Sequence, residues 1–264
     1  MTSAPPDDDP FAFLRAKTKA RVALGRCGDG LPTTRLLEFQ RDHARARDAV
    51  HAALDVPVLS AELVATGLPV PIIVQSLAPD RATFLQRPDL GRRLEESSSA
   101  KLEKGDYDVS LVLADGLSAT AAQKQGAALC ALIGKSLSFR CAPPVIACGA
   151  RVALGDEIAA RLGAHLVIVL IGERPGLSST QSLGAYITFA PKPGVTWDAE
   201  RNCVSNIGPE GLPLAEAARR IVAMTALAFG IGATGTMLKE DDALAMLEGP
   251  GNSSPIDGHR DLQG

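Results

Sequence analysis

Three short, almost unbroken apolar runs limit what this chain can fold into. They are Val109-Ser110-Leu111-Val112-Leu113-Ala114, Pro144-Val145-Ile146-Ala147-Cys148, and residues 165–171, of which 166–171 are apolar throughout. Runs of this length, apolar at consecutive rather than alternate positions, suit strands buried on both faces of a parallel sheet. The stretches between them, about 118–133 and 155–162, read as helices, followed by a further strand at 184–189 and a closing helix at 214–229. Buried strands alternating with helices predict an α/β fold, here a Rossmann-like three-layer α/β/α domain around a mostly parallel sheet.

Upstream the pattern is mainly helical. A short basic helix is expected over 11–24, ended by Gly25-Arg26-Cys27-Gly28-Asp29-Gly30. A stronger helix opens at Pro32-Thr33-Thr34 and runs to about residue 54, with Pro57 as its stop. Residues 58–77 mix β-branched residues with Gly67, Pro69 and Pro71, and leave room for a strand at Ile72-Ile73-Val74; a polar stretch follows from Pro79. The expected organisation is a disordered tail (1–12), a mainly helical N-terminal domain (13–100), an α/β domain (101–240) and a flexible C-terminal tail (241–264).

Composition narrows the function. With 27 Lys+Arg against 30 Asp+Glu in 264 residues, and 4% aromatics, the chain has neither the charge nor the stacking surface for wrapping nucleic acid. Its longest apolar run is seven residues, far short of the ~20 a membrane span needs. Five cysteines without a CxxC pair argue against a disulfide framework and against zinc. The acidic, Pro-rich start is unlike a signal peptide, so a cytoplasmic protein is expected.

In open parallel sheets ligands bind beyond the carboxyl ends of the strands. Those ends are Asp115-Gly116-Leu117-Ser118, Gly149-Ala150-Arg151-Val152 and Gly172-Glu173-Arg174-Pro175-Gly176-Leu177-Ser178, and they are expected to converge on one edge. Three weaker motifs have structural readings. Gly230-Ile231-Gly232-Ala233-Thr234-Gly235 matches a dinucleotide pattern but follows a helix, which makes it a glycine C-cap. Gly116-Leu117-Ser118-Ala119-Thr120 resembles a nucleophile elbow without its last glycine, and Ser118 is better read as a helix N-cap. Asp257-Gly258-His259 lacks the rest of a cobalt-ligating Asp-x-His-x-x-Gly motif. His43 and His51 belong to a solvated helix face, and His165 is expected to be packed or capped. Two polar segments stand out: Glu173 and Arg174 directly after the most buried strand, and Asp198-Ala199-Glu200-Arg201-Asn202-Cys203-Val204-Ser205-Asn206-Ile207, a polar loop centred on Cys203. Either they form a binding site, or Glu173 and Arg174 pair with Arg201 and Glu200 across the loops.

Six segments in fixed order carry a family resemblance: Ala20-Arg21-Val22-Ala23-Leu24-Gly25-Arg26, Asp42-His43-Ala44-Arg45-Ala46-Arg47-Asp48-Ala49-Val50, Arg87-Pro88-Asp89-Leu90-Gly91-Arg92-Arg93-Leu94, Ala114-Asp115-Gly116-Leu117-Ser118, Gly172-Glu173-Arg174-Pro175-Gly176-Leu177 and Arg201-Asn202-Cys203-Val204-Ser205-Asn206-Ile207. Over about residues 14–237 the chain resembles the small (light) subunit of ethanolamine ammonia-lyase, an adenosylcobalamin-dependent carbon–nitrogen lyase. The resemblance implies a helical N-terminal domain, an α/β cobalamin-binding domain, and inactivity without the large subunit. That partner, a TIM barrel, would hold ethanolamine and the catalytic groups in an assembly of six large and six small chains. It therefore implies no catalytic residue and no metal ligand in this chain, the cofactor keeping its own benzimidazole as lower ligand. The cobalamin (coenzyme B12) would lie between the two chains, touching Val152, Glu173 and Cys203. Glu173 would accept hydrogen bonds from corrin amides, Val152 would offer backbone or methyl surface, and Cys203 a small polarizable contact. The reaction implied is radical deamination of ethanolamine to acetaldehyde and ammonia, begun by homolysis of the cobalt–carbon bond. Family members are associated with bacterial microcompartments, some through a longer N-terminal extension than the ten residues ahead of Phe11 here. The rival readings are an accessory subunit without cofactor contacts and a stand-alone nucleotide-binding α/β enzyme built on the 230–235 turn.

Overall fold

The computed structural model describes residues 12–18 and 20–248. After one turn of helix, α1 (Ala12–Arg15), come α2 (Thr33–His51), α3 (Val56–Ala65), β1 (Ile72–Gln75), α4 (Arg81–Gln86), α5 (Glu96–Ser99), β2 (Val109–Ala114), α6 (Ala119–Ser136), β3 (Val145–Cys148) and α7 (Leu154–Leu162). Then follow β4 (Leu166–Gly172), β5 (Leu183–Phe189), β6 (Asn202–Ile207), α8 (Leu214–Ile231) and α9 (Glu240–Glu248).

The fold is mixed α/β, with one six-stranded, mostly parallel sheet in the order β1-β3-β2-β4-β5-β6. The first four strands in that order are parallel; β5 runs antiparallel to both β4 and β6. Every residue of β2 and β4 is buried, as their unbroken apolar runs require. Successive side chains point to opposite faces. Leu111, Leu113, Ile168 and Leu170 join the core under α3, α6 and α8, while Val112, Ala114, Val167, Val169 and Ile171 pack against α7 on the other face. Each such Leu, Ile or Val contributes about 1.5–3 kcal/mol through burial. Among the described residues no helix is long and apolar enough to cross a membrane.

Several expectations are corrected. The helix from residue 33 ends at His51, before Pro57, and the proline instead lies in the first turn of α3, where a missing N–H is harmless. Asp55 caps α3 by accepting a hydrogen bond from the Val58 N–H (3.1 Å). The polar loop expected at 198–207 contains the edge strand β6, whose exposed side is polar because it faces water. The short basic helix expected over 11–24 is the single turn α1 among the described residues. Residues 241–248, expected in a flexible tail, lie in α9, with Ala243 fully buried in the core. β1, which precedes residue 100, is nevertheless part of the sheet. The tails expected before Ala12 and after Glu248, with His259, lie outside the described residues.

Candidate functional site

From β2 the chain crosses to β3 on one side, and from β3 back to β4 on the other. In such sheets a ligand crevice opens where the connections reverse, here between the carboxyl ends of β2 and β4. A cleft of about 310 Å3 lies there, lined by Gly116 and Leu117 after β2, Arg151 and Val152 after β3, Ile171, Gly172, Glu173 and Arg174 at the end of β4, and Tyr186 of β5. The three turns expected to converge do so.

Glycine makes the convergence possible. A Cβ at Gly172 would collide with the carbonyl oxygens of Ser118 and Asp115, and at that approach the Leu117 N–H donates to the Gly172 carbonyl (2.9 Å). Ser118 is the N-cap of α6, its Oγ accepting from the Ala121 N–H (3.2 Å) while donating to the Thr180 carbonyl (2.9 Å). Buried and committed to these bonds, Ser118 has no role as a nucleophile.

Asp115 lies beneath the first two turns. Its Oδ1 accepts from the N–H groups of Gly116 (2.9 Å) and Ala150 (3.0 Å), and its Oδ2 from the Gly149 N–H (2.9 Å). Arg81 Nη1 is 3.7 Å from Oδ2. Burial pushes the Asp115 carboxyl above the usual aspartate value, opposed by the three N–H donors and the Arg81 charge. The Phe84 ring lies between two guanidinium groups, Arg81 at 4.8 Å and Arg151 at 4.2 Å from its centroid.

Glu173 and Val152 both line the cleft; Cys203 does not line it but lies one strand over, paired in register with Tyr186. The Glu173 carboxylate accepts from the Asn206 N–H (3.1 and 3.2 Å), so it does not pair with Arg201. Arg201 is instead buried in a bidentate pair with Asp156 (2.7 Å for each bond), with Thr188 Oγ1 at 3.1 Å. Glu200 closes back on the Trp197 N–H (2.6 Å). The cross-loop pairing considered from sequence is therefore absent, and Arg174 stays exposed on the rim. Partial burial pushes the Cys203 thiol up; a Tyr186 hydrogen bond opposes this and the Glu173 charge adds to it. The thiol is thus protonated at neutral pH and is no nucleophile. Burial, then Cys203 and the charges of Glu173 and Asp198, raise the Tyr186 phenol to about 12. Val152 is half-buried and, like Tyr186, packs on the core under α7.

Sequence reasoning passed over Tyr186 and Arg81 and named Asp115 only as part of a strand-end turn. Tyr186 carries a usable signal, because it falls on the same strand face as Gly184, whose missing side chain leaves room for Glu173. Asp115 is signalled only by its place at a strand end, and Arg81 by nothing local. The 230–235 turn is what its position implies: Gly232 is the left-handed C-cap of α8 (φ 70°), its N–H bonded to the Ala228 carbonyl (2.8 Å). No strand precedes it, so the phosphate-binding reading loses its structural context. His43 and His51 are exposed on α2, and His165 is exposed ahead of β4 rather than packed.

The sequence profile of the ethanolamine ammonia-lyase light chain matches residues 8–239. The ethanolamine ammonia-lyase small subunit of Rhodopseudomonas palustris is 50% identical over 250 residues, covering 92% of this chain and 95% of that protein. The small subunit of Bradyrhizobium diazoefficiens is 50% identical over 241 residues (89% and 92%), and that of Rhodococcus erythropolis 46% over 246 residues (91% and 95%). These matches run through every element that builds the cleft, from α2 to α8, so the chain belongs to the ethanolamine ammonia-lyase light-chain family.

Proposed function

We propose that this chain is the small subunit of an adenosylcobalamin-dependent ethanolamine ammonia-lyase and that its cleft forms one wall of the cobalamin site, the large subunit forming the other. In this reading the complex converts ethanolamine to acetaldehyde and ammonia, the substrate is held on the large chain, and the assembly holds six copies of each. A cytoplasmic enzyme, packaged or not in a microcompartment, is consistent with it. The observation that carries the reading is that Val152 and Glu173 line a single cleft with Cys203 beside it, although residues 152 and 203 are far apart in sequence.

The residues present fit a corrin. At about 310 Å3 the cleft is at the lower end of small-ligand sites, too small to enclose a macrocycle and suited to receive one edge of it. Its lining combines Gly116, Leu117, Val152, Ile171, Gly172 and Tyr186 with the charged Arg151, Glu173 and Arg174, which offers apolar contact to the ring and polar partners to the amides on its rim. Among the described residues one N–H is bonded to the Glu173 carboxylate, so its remaining lone pairs are available to amide N–H donors on the ligand. Tyr186 and Cys203 stay neutral at physiological pH, which avoids burying charge against the ring. When bound, the cofactor supplies an organic radical by homolysis of its cobalt–carbon bond. This chain's part is to hold the ring in place and to keep water from the contact.

The test is acetaldehyde formation from ethanolamine with adenosylcobalamin, using this chain alone, the large chain alone and both together. Activity is expected only from the mixture. Full activity of the large chain alone would reduce this chain to an accessory and remove the cofactor assignment.

A further inference from the structure

Resting on the reading of the cleft as a cobalamin wall, we propose that Asp115 is the positioning residue of that site: its carboxylate fixes the spacing of the turns after β2 and β3, and Arg81 holds it against the end of α2.

Asp115 does not line the cleft. It lines a smaller hollow of about 170 Å3 beside it, with Arg81, Phe84 and Cys148. It acts through backbone, since its two oxygens accept N–H groups from both turns, Gly116 on one side and Gly149 and Ala150 on the other. The groups that follow those amides, Leu117 on one turn and Arg151 and Val152 on the other, are cleft walls. One carboxylate therefore sets the distance between walls belonging to different strands.

The second turn is pinned from its far side, where the Arg151 N–H donates to the Gly91 carbonyl (2.8 Å). The first is pinned by Arg81, whose Nη1 donates to the Gly116 carbonyl (2.6 Å) and whose Nε donates to the Val50 carbonyl at the end of α2 (2.7 Å). Asparagine cannot replace Asp115 here. It offers one acceptor oxygen, and its NH2 would meet either the Gly149 N–H or the Gly116 and Ala150 pair. Leaving such a buried donor unpaired forces the turns apart or lets water in.

The test uses the complex with the large chain and Asp115→Asn or Arg81→Met, with cyanocobalamin as probe read by its visible absorbance after equilibrium dialysis. Three further readouts accompany it: kcat at saturating adenosylcobalamin, the urea midpoint of the free chain, and amide exchange of residues 116, 149 and 150. Asp115→Asn is expected to hold cyanocobalamin about tenfold or more weakly, by analogy with the loss of an outer-shell supporting residue at metal sites. Exchange at the three amides rises, kcat at saturating cofactor is unchanged, and Arg81→Met shifts retention in the same direction. A folded Asp115→Asn complex that retains the probe as tightly as the unaltered one overturns the proposal, however far its urea midpoint falls. Should that variant not fold, unchanged retention by Arg81→Met overturns it equally. If the unaltered chain adds nothing to retention by the large chain, the cobalamin reading itself has failed, an outcome seen without any substitution.

Discussion

Arg201 and Asp156 are each only 2% exposed at their side chains, and their two parallel hydrogen bonds join the start of β6 to the first turn of α7. Buried pairs of this kind gain little over apolar residues, but removing one partner strands the other charge. Asp156→Ala is therefore expected to lower unfolding free energy in urea by about 3–5 kcal/mol, and Asp156→Leu combined with Arg201→Met by much less. Tyr186 gives a second test at this scale. Its phenol titrates at about 12 in the fold against 10.0 for a free tyrosine. The native state keeps a proton that the unfolded chain releases, so this contribution is complete below pH 10 and is lost as pH rises from 10 to 12. Near-ultraviolet difference titration of the protein against Tyr186→Phe should show the missing transition centred at about 12. Of the residues around the cleft, Glu173 was legible because it follows the most buried strand, Val152 because it closes the turn after another buried strand, and Cys203 because it centres a polar segment; the family resemblance singles out all three. The partner of Arg201 was not, since Asp156 is 45 positions away and looks like an ordinary acidic first-turn residue.

Elements were legible where burial dictates composition. β2 and β4 are enclosed on both faces, so nearly every position is apolar and no solvent face dilutes the signal. β6 has one neighbour and an open side, and its residues Asn202, Cys203, Ser205 and Asn206 carry the polarity of a loop while their backbone pairs with β5. Asn206 adds to the disguise with a left-handed φ of 56°, next to an irregularity in the β5–β6 register. α3 was hidden by Pro57, which reads as a breaker until one sees it in the first turn. The end of α8 was read correctly, and its consequence can be measured. Gly232→Ala places a Cβ in a left-handed conformation with open space around it, so the cost is backbone strain alone, about 1–2 kcal/mol. Thermal unfolding should fall accordingly, while cobalamin retention by the complex should not change. Loss of retention would mean that the 230–235 turn takes part in binding after all.

At the scale of the whole molecule, the sheet core, whose strand ends carry the cleft, and α2 differ in how firmly they are held. The core is the sheet with α6, α7 and α8, whereas α2 buries only Ala49 along its 19 residues and leaves Leu36, Leu37 and Phe39 exposed. A helix of that length holds together in water mainly through the face it buries, and here that face is nearly empty. Its anchors lie toward its C-terminal end, where Ala49 is buried and the Val50 carbonyl is held by Arg81. Arg21–Asp42 is an additional bridge on the surface, where ion pairs contribute little. Native-state hydrogen exchange of the isolated chain should therefore separate three classes. Amides of β2 and β4 exchange only through global unfolding; those near residue 50 exchange by an intermediate opening; those of residues 36–42 exchange by local fraying. Asp115→Asn and Arg81→Met should merge the second class with the third and leave β4 untouched, because the link they cut runs from the cleft turns to α2 and not through the core. Uniform protection along α2 in the isolated chain would show that the helix carries its own stability, and the link through Arg81 would then have nothing to transmit.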